Sequence, residues 1–496
     1  MEKYLIGWAE RDITPDRPVS LNGQFAERIS ESVEKPITVT AFAVSTEQDQ
    51  LVLCSTDLVC VSWALTLVVR ERLAKVDGLD PMKVILSAIH THTSMTYAHM
   101  EGRIDDIMPW PENAVSKLTG LEYKEFAEIT GNTELFTGEE AFAFLVDKIT
   151  EAVTEAWQNR RPGTLVSAFG RAPVGMCRRA AYIDGTAAMW GNTETPVFEA
   201  LEGGNDSGIE LLYAFDEAGN LTGVVPNLAC PAQAVQHRMF VSPDFWGETK
   251  LLLRKRFGEK LFMLPLCSAA GDQCPVDIVR WVEPESDVHD PNIKRDHPSP
   301  RKADPSMFDL KGMRLAGRRI ADEVIRVFED GLDEAEEVEL IHHVRDFELP
   351  LRLVGKTQYE QAVKNIKDAF VGRTGTVDFN DEADHLIEVG DIWRYETQHI
   401  SEVLPTECHV IRLGGIAIAT NPFELFLDYG NQIKARSHAK QTFLIQLAVS
   451  CEGYLPTEKA ENNGHYSAIV GSGYVGHVGG NLLVRETLNE INRNLF

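Results

Sequence analysis

The stretch Lys83-Val-Ile-Leu-Ser-Ala-Ile-His-Thr-His-Thr93 carries most of the information in this chain. Val84 to Ile89 is a short run rich in β-branched residues, and Pro81 marks where the preceding helical segment stops, so the spacing predicts a buried strand. Strict alternation along that strand puts His90 and His92 on one face at its C-terminal end. Two neutral imidazoles there can meet one metal, or one can bind while the other orients a water or a substrate. Alone, such a pair reads first as two satisfied histidines at a strand end. Its weight comes from other segments of the chain.

The chain has 496 residues, 44% of them hydrophobic, enough to bury a large core with room for more than one domain. Asp and Glu number 75 against 48 Lys and Arg, a formal charge of −27. A surface that acidic repels phosphate backbones and anionic lipid, which argues against nucleic acid as a partner and against stable membrane association. No apolar run approaches the roughly 20 residues needed to span a bilayer. Met1 to Asp12 has no basic stretch followed by an apolar one, so no signal peptide is expected and the expected compartment is cytoplasmic. Eight cysteines are too sparse for a disulfide framework in a chain this long, so each is weighed as core filler, ligand or nucleophile. The expected partner is a small-molecule substrate, and composition leaves the oligomeric state open.

Strands are expected at Ile37 to Ser45 and Leu51 to Ser55, a helix at Trp63 to Val76, and polar irregular chain from 100 to 135. Gly138 to Gln158 has amphipathic helical spacing through Phe142, Leu145, Ile149, Val153 and Trp157. Strand character returns over 164 to 230. Helices are predicted at Met307 to Gly331, Gln358 to Phe370 and Asn481 to Arg493, and strand-like runs at Cys408 to Thr420 and Thr442 to Val449. Pro284 to Pro305, rich in Pro, Asp, His and Lys, reads as an exposed loop, expected to rim a site as a lid with Arg280, Trp281 and His289 near substrate. No repeat, low-complexity tract or linker interrupts the chain. The fold class expected is α/β: a single large domain over 1–496, with mixed β-sheets flanked by helices.

Five segments look built for chemistry. Beside the His90/His92 pair stands Asn227-Leu-Ala-Cys-Pro-Ala-Gln233, whose Cys230 alone reads as a buried thiol. Leu266-Cys-Ser-Ala-Ala-Gly-Asp-Gln-Cys-Pro275 is a strand entering a small-residue turn that presents Asp272 and Cys274. Ile416-Ala-Ile-Ala-Thr-Asn-Pro-Phe-Glu424 is a strand that stops at Asn-Pro and delivers a carboxylate. Val449-Ser-Cys-Glu-Gly-Tyr454 is followed twelve residues later by Tyr466.

In this order the segments resemble the neutral ceramidase family, zinc-dependent amidases that cleave N-acyl-sphingosine. Ile6-Gly-Trp-Ala-Glu-Arg-Asp-Ile-Thr-Pro15 is similar to that family's Gly-x-Gly-x-x-Asp-Ile-Thr start, and Ser55-Thr-Asp57 to its Ser-Ala-Asp step. Ile89-His-Thr-His-Thr93 resembles Thr-His-Thr-His-Ser, Gly271-Asp-Gln-Cys-Pro275 resembles Gly-Asp-Val-Ser-Pro, and Pro422-Phe-Glu424 resembles Pro-Gly-Glu. Tyr454-Leu-Pro-Thr-Glu458 resembles Tyr-Val-Thr-Thr-Pro-Glu, and the likeness runs from about residue 4 to 490. The resemblance implies one zinc ion held by His90, Glu424 and Tyr454. It implies His92 and Tyr466 beside the substrate carbonyl, with Arg178 of Cys177-Arg-Arg179 near them.

Three departures qualify it. The family's second histidine ligand stands in a His-Pro step before a Ser-x-Asp motif, and here Cys230-Pro231 stands at that interval before Ser242-Pro-Asp244. A thiolate is a competent zinc ligand, so Cys230 is expected fourth, with His237 as the fallback. Cys274 replaces a serine. The chain is expected to end near the end of the family's catalytic domain, without its C-terminal β-sandwich domain.

A zinc with open coordination lowers the pKa of bound water toward about 7 and polarises an amide or ester carbonyl. The function implied is therefore zinc-dependent hydrolysis of an amide or ester bond in a small, soluble substrate other than ceramide. In it His92 shuttles the proton, Arg178 and Tyr466 stabilise the oxyanion, and Asp272 orients His90 or the turn. Three other readings stay open. Cys274 could act as the nucleophile of a thiol hydrolase or acyltransferase. Glu424 and Asp272 could serve as acid and base of a sugar-processing hydrolase. Cys230 could have disabled the metal site, leaving a non-catalytic binding protein.

Overall fold

Period-two alternation in the N-terminal strands sets the order of layers. In strand Thr38–Ser45, Val39, Ala41 and Ala43 face one way and Phe42 and Val44 the other; in Gln50–Thr56, Val52 and Cys54 oppose Leu51 and Leu53. A sheet apolar on both faces needs cover on both. Helices Trp63–Leu73 and Gly138–Gln158 cover the first face through Leu65, Val69, Leu145, Ile149 and Val153. The second face packs on another sheet, where Trp8, Phe42, Leu53 and Ile85 share a core with Ile411, Leu413, Ile418 and Phe443. Helices Leu427–Arg436 and His477–Asn489 then close the far side of that second sheet.

The computed structural model describes residues 3–25, 28–108, 113–124, 134–280 and 308–496. Its large sheet has nine strands. In spatial order these are Phe262–Met263, Leu221–Leu228, Gly208–Asp216, Arg161–Arg171, Tyr4–Asp12, Thr38–Ser45, Gln50–Thr56 and Val84–Ala88, with Leu266–Cys267 also on Leu221–Leu228. Most pairs are antiparallel; Gln50–Thr56 with Val84–Ala88 is parallel, joined by a crossover that contains helix Trp63–Leu73. The second sheet has four strands: Leu340–Pro350, Val403–Leu413, Ile416–Thr420 and Gln441–Ile445. The mixed-sheet α/β architecture is the one the sequence predicts.

Helix Gly138–Gln158 keeps its predicted bounds because Thr137 and Glu140 form a reciprocal capping box at its start. Between 100 and 135, where irregular chain is expected, the described residues include two short helices, Arg103–Ile107 and Ala114–Thr119. The first is held from outside the segment: the Glu452 carboxylate accepts the backbone N–H groups of Arg103 (2.6 Å) and Ile104 (3.1 Å). The predicted loop Pro284 to Pro305, with Trp281 and His289, lies outside the described residues. Arg280 is exposed and pairs with Asp277 at 2.9 Å.

Chain topology brings the chemical segments together. Strands Val84–Ala88, Leu221–Leu228, Leu266–Cys267, Ile416–Thr420 and Gln441–Ile445 run on into His90, Cys230, Asp272, Glu424 and the segment before Tyr454. Backbone hydrogen bonds knit these exits: Ala232 N–H to Ile89 O (3.2 Å), Gly271 N–H to Leu425 O (2.8 Å) and Val449 N–H to Leu86 O (2.8 Å). Sites in open α/β sheets lie beyond the carboxyl ends of strands for this reason, since that is where side chains leave the ladder.

Candidate active site

His90 does not continue its strand. Val84–Ala88 ends two residues earlier, and His90 takes a left-handed φ of 62°, costly for a residue with a Cβ. The two histidines therefore meet through a turn instead of by strand alternation. Their rings lie 4.9 Å apart at 69°, with Nε2 to Nε2 at 3.3 Å.

The hydrogen-bond network assigns the protons. His90 Nδ1 lies 2.7 Å from Val59 O, and a carbonyl only accepts, so Nδ1 carries the proton and Nε2 the lone pair. Arg178 Nη1 only donates, so the Gln233 atom it meets at 3.2 Å is Oε1. This turns the Gln233 amide nitrogen onto His92 Nε2 at 2.8 Å, which must accept and leaves His92 protonated at Nδ1. Burial, then the charges of His90, Arg28 and Arg178, hold the His92 pKa well below its usual value, so the ring is neutral at pH 7.

His90 Nε2 thus turns its lone pair on one of Glu424 Oε2 at 3.2 Å, while the lone pair of His92 Nε2, 3.3 Å away, is taken by the Gln233 amide. Lone pairs this close repel unless a proton or a metal cation lies among them. Glu424 pairs in parallel register with Tyr454 across two short strands, Glu424–Leu425 and Tyr454–Leu455, which carries the phenol to the same place. Imidazole, carboxylate and phenol oxygen are donors that suit zinc. Among the described residues no group of three or more His, Cys, Asp or Glu side chains is arranged to hold a metal ion, so the fit rests on His90 and Glu424 with Tyr454.

Cys230 does not join His90 and Glu424 in such a group. Its thiol is fully buried, points at Pro231 O (3.5 Å), and is pushed well above the usual thiol pKa by burial and by Cys274 and Cys267. His237 turns the other way, onto Asp309 (3.4 Å) and the face of Phe308. Cys274 is fully buried, its thiol on Gln233 Oε1 at 3.6 Å, and it does not line the cavity described below. Asp272 accepts the Leu427 N–H (2.9 Å), while its backbone oxygen accepts the Arg178 N–H (3.0 Å), so it orders the turn beside Arg178. Burial pushes its carboxyl up to about 6.

Arg178 is 3% exposed and donates to Tyr454 Oη (3.2 Å) and Gly271 O (3.1 Å). Tyr466 stands edge-on to Tyr454 at 5.4 Å, and burial, then the Glu424 charge, pushes it up to about 12, so its hydroxyl keeps its proton at neutral pH. His92, Arg178, Tyr454 and Tyr466 line one cavity of about 650 Å³. Its other walls include Phe25, Tyr182, Met189, Trp190, Leu386, Ile387 and Ile469, with Asp384 and Glu388 also lining it.

Sequence reasoning missed Gln233, although it closes the quoted Asn227–Gln233 segment, because its role depends on two partners distant in the chain. It also missed Gly23, whose φ of 97° lets its backbone pack on the His92 ring.

No family model matches the sequence, and no curated protein matches it. Solved structures do. The neutral ceramidase crystal structure from Pseudomonas aeruginosa aligns over 99% of this chain and 75% of that one, at 18% identity and a TM-score of 0.67. A ceramidase complexed with C2 aligns over the same shares at 17% identity and a TM-score of 0.67. Across nearly its whole length, this chain has the neutral ceramidase fold.

Proposed function

We propose that the chain is a metal-dependent hydrolase of an amide or ester bond in a small substrate, with zinc as the ion. The observation that carries this reading is the meeting of His90 Nε2 and Glu424 Oε2 at 3.2 Å with no proton assigned between them. The ceramidase fold supports amide chemistry at that place. His90, Glu424 and Tyr454 would hold the ion. A zinc there would supply a Lewis acid for the scissile carbonyl and an activated water.

The chain's own groups do the rest. Arg178 brings a permanently charged donor to the cavity wall, and Tyr466 a neutral hydroxyl. Both suit the negative charge that develops on a carbonyl oxygen in acyl transfer. His92, whose Nε2 is taken by Gln233, works through its Nδ1–H, as a neutral hydrogen-bond donor to the substrate. Burial of these groups excludes water and strengthens each contact.

A cavity of about 650 Å³ suits a ligand of metabolite or drug size. Its aromatic and aliphatic walls favour an N-acyl or aryl-acyl group, and a protein of net charge −27 disfavours an anionic membrane surface. Ceramide is therefore not the preferred substrate in this reading. The test is a panel of N-acyl amino acids, N-acyl sugars, simple esters and short-chain ceramides, each assayed with zinc and with chelator. Turnover of a small amide or ester that chelator abolishes is expected. Ceramide turned over well above the rest would overturn the substrate, and chelator-resistant turnover the mechanism.

A further inference from the structure

Arg178 and Arg179 are neighbours that serve different parts of the molecule. Arg178 lines the cavity, whereas Arg179 is fully buried and reaches the segment 463–467. Every N–H of its guanidinium is engaged. Nη2 donates to Gly464 O (2.7 Å), and Nη1 donates to Tyr466 O (2.8 Å) and Ser467 Oγ (3.1 Å). Nε and the other Nη2 proton grip the Glu202 carboxylate, Nη2 to Oε1 at 3.2 Å. Glu202 also accepts Asn463 Nδ2 at 3.0 Å on its carboxylate and Lys459 Nζ at 2.7 Å on its backbone oxygen.

The segment so gripped is strained. His465 and Ser467 both have φ of 72°, a left-handed conformation unfavourable for residues with a Cβ. Strain of this kind persists only where surrounding contacts over-determine it. The residue between the two is Tyr466, and Arg179 holds the backbone oxygen of Tyr466 itself.

We propose that the Arg179–Glu202 pair is a positioning device for Tyr466. The planar fork fixes the strained turn, so that the phenol stands against Tyr454 and in the cavity with Arg178. Arg179 touches no reacting atom. Its work is to hold the turn, and only a five-donor planar group can bind a carboxylate and three loop acceptors together. This inference rests on the reading of Tyr466 as a donor to the reacting carbonyl.

The test compares Arg179→Lys, Glu202→Gln, Tyr466→Phe and the Arg179→Lys/Tyr466→Phe double variant. Arg179→Lys keeps the buried charge paired but loses the fork, and Glu202→Gln keeps side-chain size if the first fails to fold. In Arg179→Lys, kcat is expected to fall by about 10²-fold, the size associated with misplacing a reacting group by about 1 Å. KM should stay within about twofold, because ground-state binding is untouched. Tyr466→Phe should lower kcat similarly, and the double variant should fall no further than either single one. Amide hydrogen exchange over 463–467 should speed up in both Arg179→Lys and Glu202→Gln. Unchanged exchange there would overturn the proposal whatever the substrate. Wild-type turnover in folded Arg179→Lys, or losses that multiply in the double variant, would overturn it also. If the wild-type protein hydrolyses nothing in the panel, the functional reading fails on its own, and exchange still decides the clamp.

Discussion

Replacing Gly23 with alanine probes the place of His92 without substituting a reacting group. An added Cβ would stand 2.3 Å from Cγ, 2.5 Å from Cδ2 and 2.8 Å from Nδ1 of His92, where ordinary contact begins at 3.4 Å. The ring must therefore retreat by about 1 Å. Cγ is the root of the ring, and the far side is held by Gln233 (2.8 Å) and His90 (3.3 Å), so a rotamer change does not relieve the clash. Displacing a reacting group by that much costs about 10²-fold in turnover. The positive φ of 97° adds a stability cost of about 1 kcal/mol for a residue with a Cβ. The assay is kcat and KM on the best substrate of the panel, beside thermal melting. A fold that melts slightly lower with turnover cut by about two orders of magnitude is expected. Full turnover in a folded Gly23→Ala protein would show that His92 takes no part in the chemistry.

Two further predictions concern His92 and the pH dependence of stability. His92→Ala should retain its metal, measured by elemental analysis, and lose most turnover; loss of the metal would make His92 a ligand instead. Asp244 is fully buried, and that burial pushes its carboxyl up to about 7 although Val235 and Phe245 donate N–H groups to it. Below about pH 4 the folded and unfolded states both hold this proton; from there to about 7 only the folded state does, so stability declines as pH rises. Asp272, raised to about 6 by burial, acts in the same direction. Asp244→Asn cannot titrate and should show a shallower decline in melting temperature between pH 4 and 7; a decline as steep as wild type contradicts the assignment.

The elements with strong local signals were legible in the sequence. Helix Gly138–Gln158 announces itself by a capping box and an apolar stripe, and strand Val84–Ala88 by a β-branched run after a proline-initiated turn. Neither signal extends to what happens at the strand's end. The left-handed φ at His90 is set by contacts from Val59 and Glu424, which lie on other strands and loops, so alternation predicted the wrong route to a correct meeting of the two rings. Helix Arg103–Ile107 escaped for the same reason, since Glu452, distant in sequence, supplies the acceptors for its first N–H groups. Ligand-type residues are recognisable one by one, whereas Gln233 and Arg179 matter through several partners at once and no single stretch reveals them.

A cation among His90, Glu424 and Tyr454 is what the proposed chemistry depends on. The direct measurement is the metal content of protein purified without chelator, for wild type and for Glu424→Gln, with turnover recorded on the same samples. About one zinc per chain is expected in wild type, as in sites with three protein ligands and one open position. Glu424→Gln should lose both zinc and turnover. Wild-type protein that carries no metal and hydrolyses its best substrate undiminished by chelator would contradict the account.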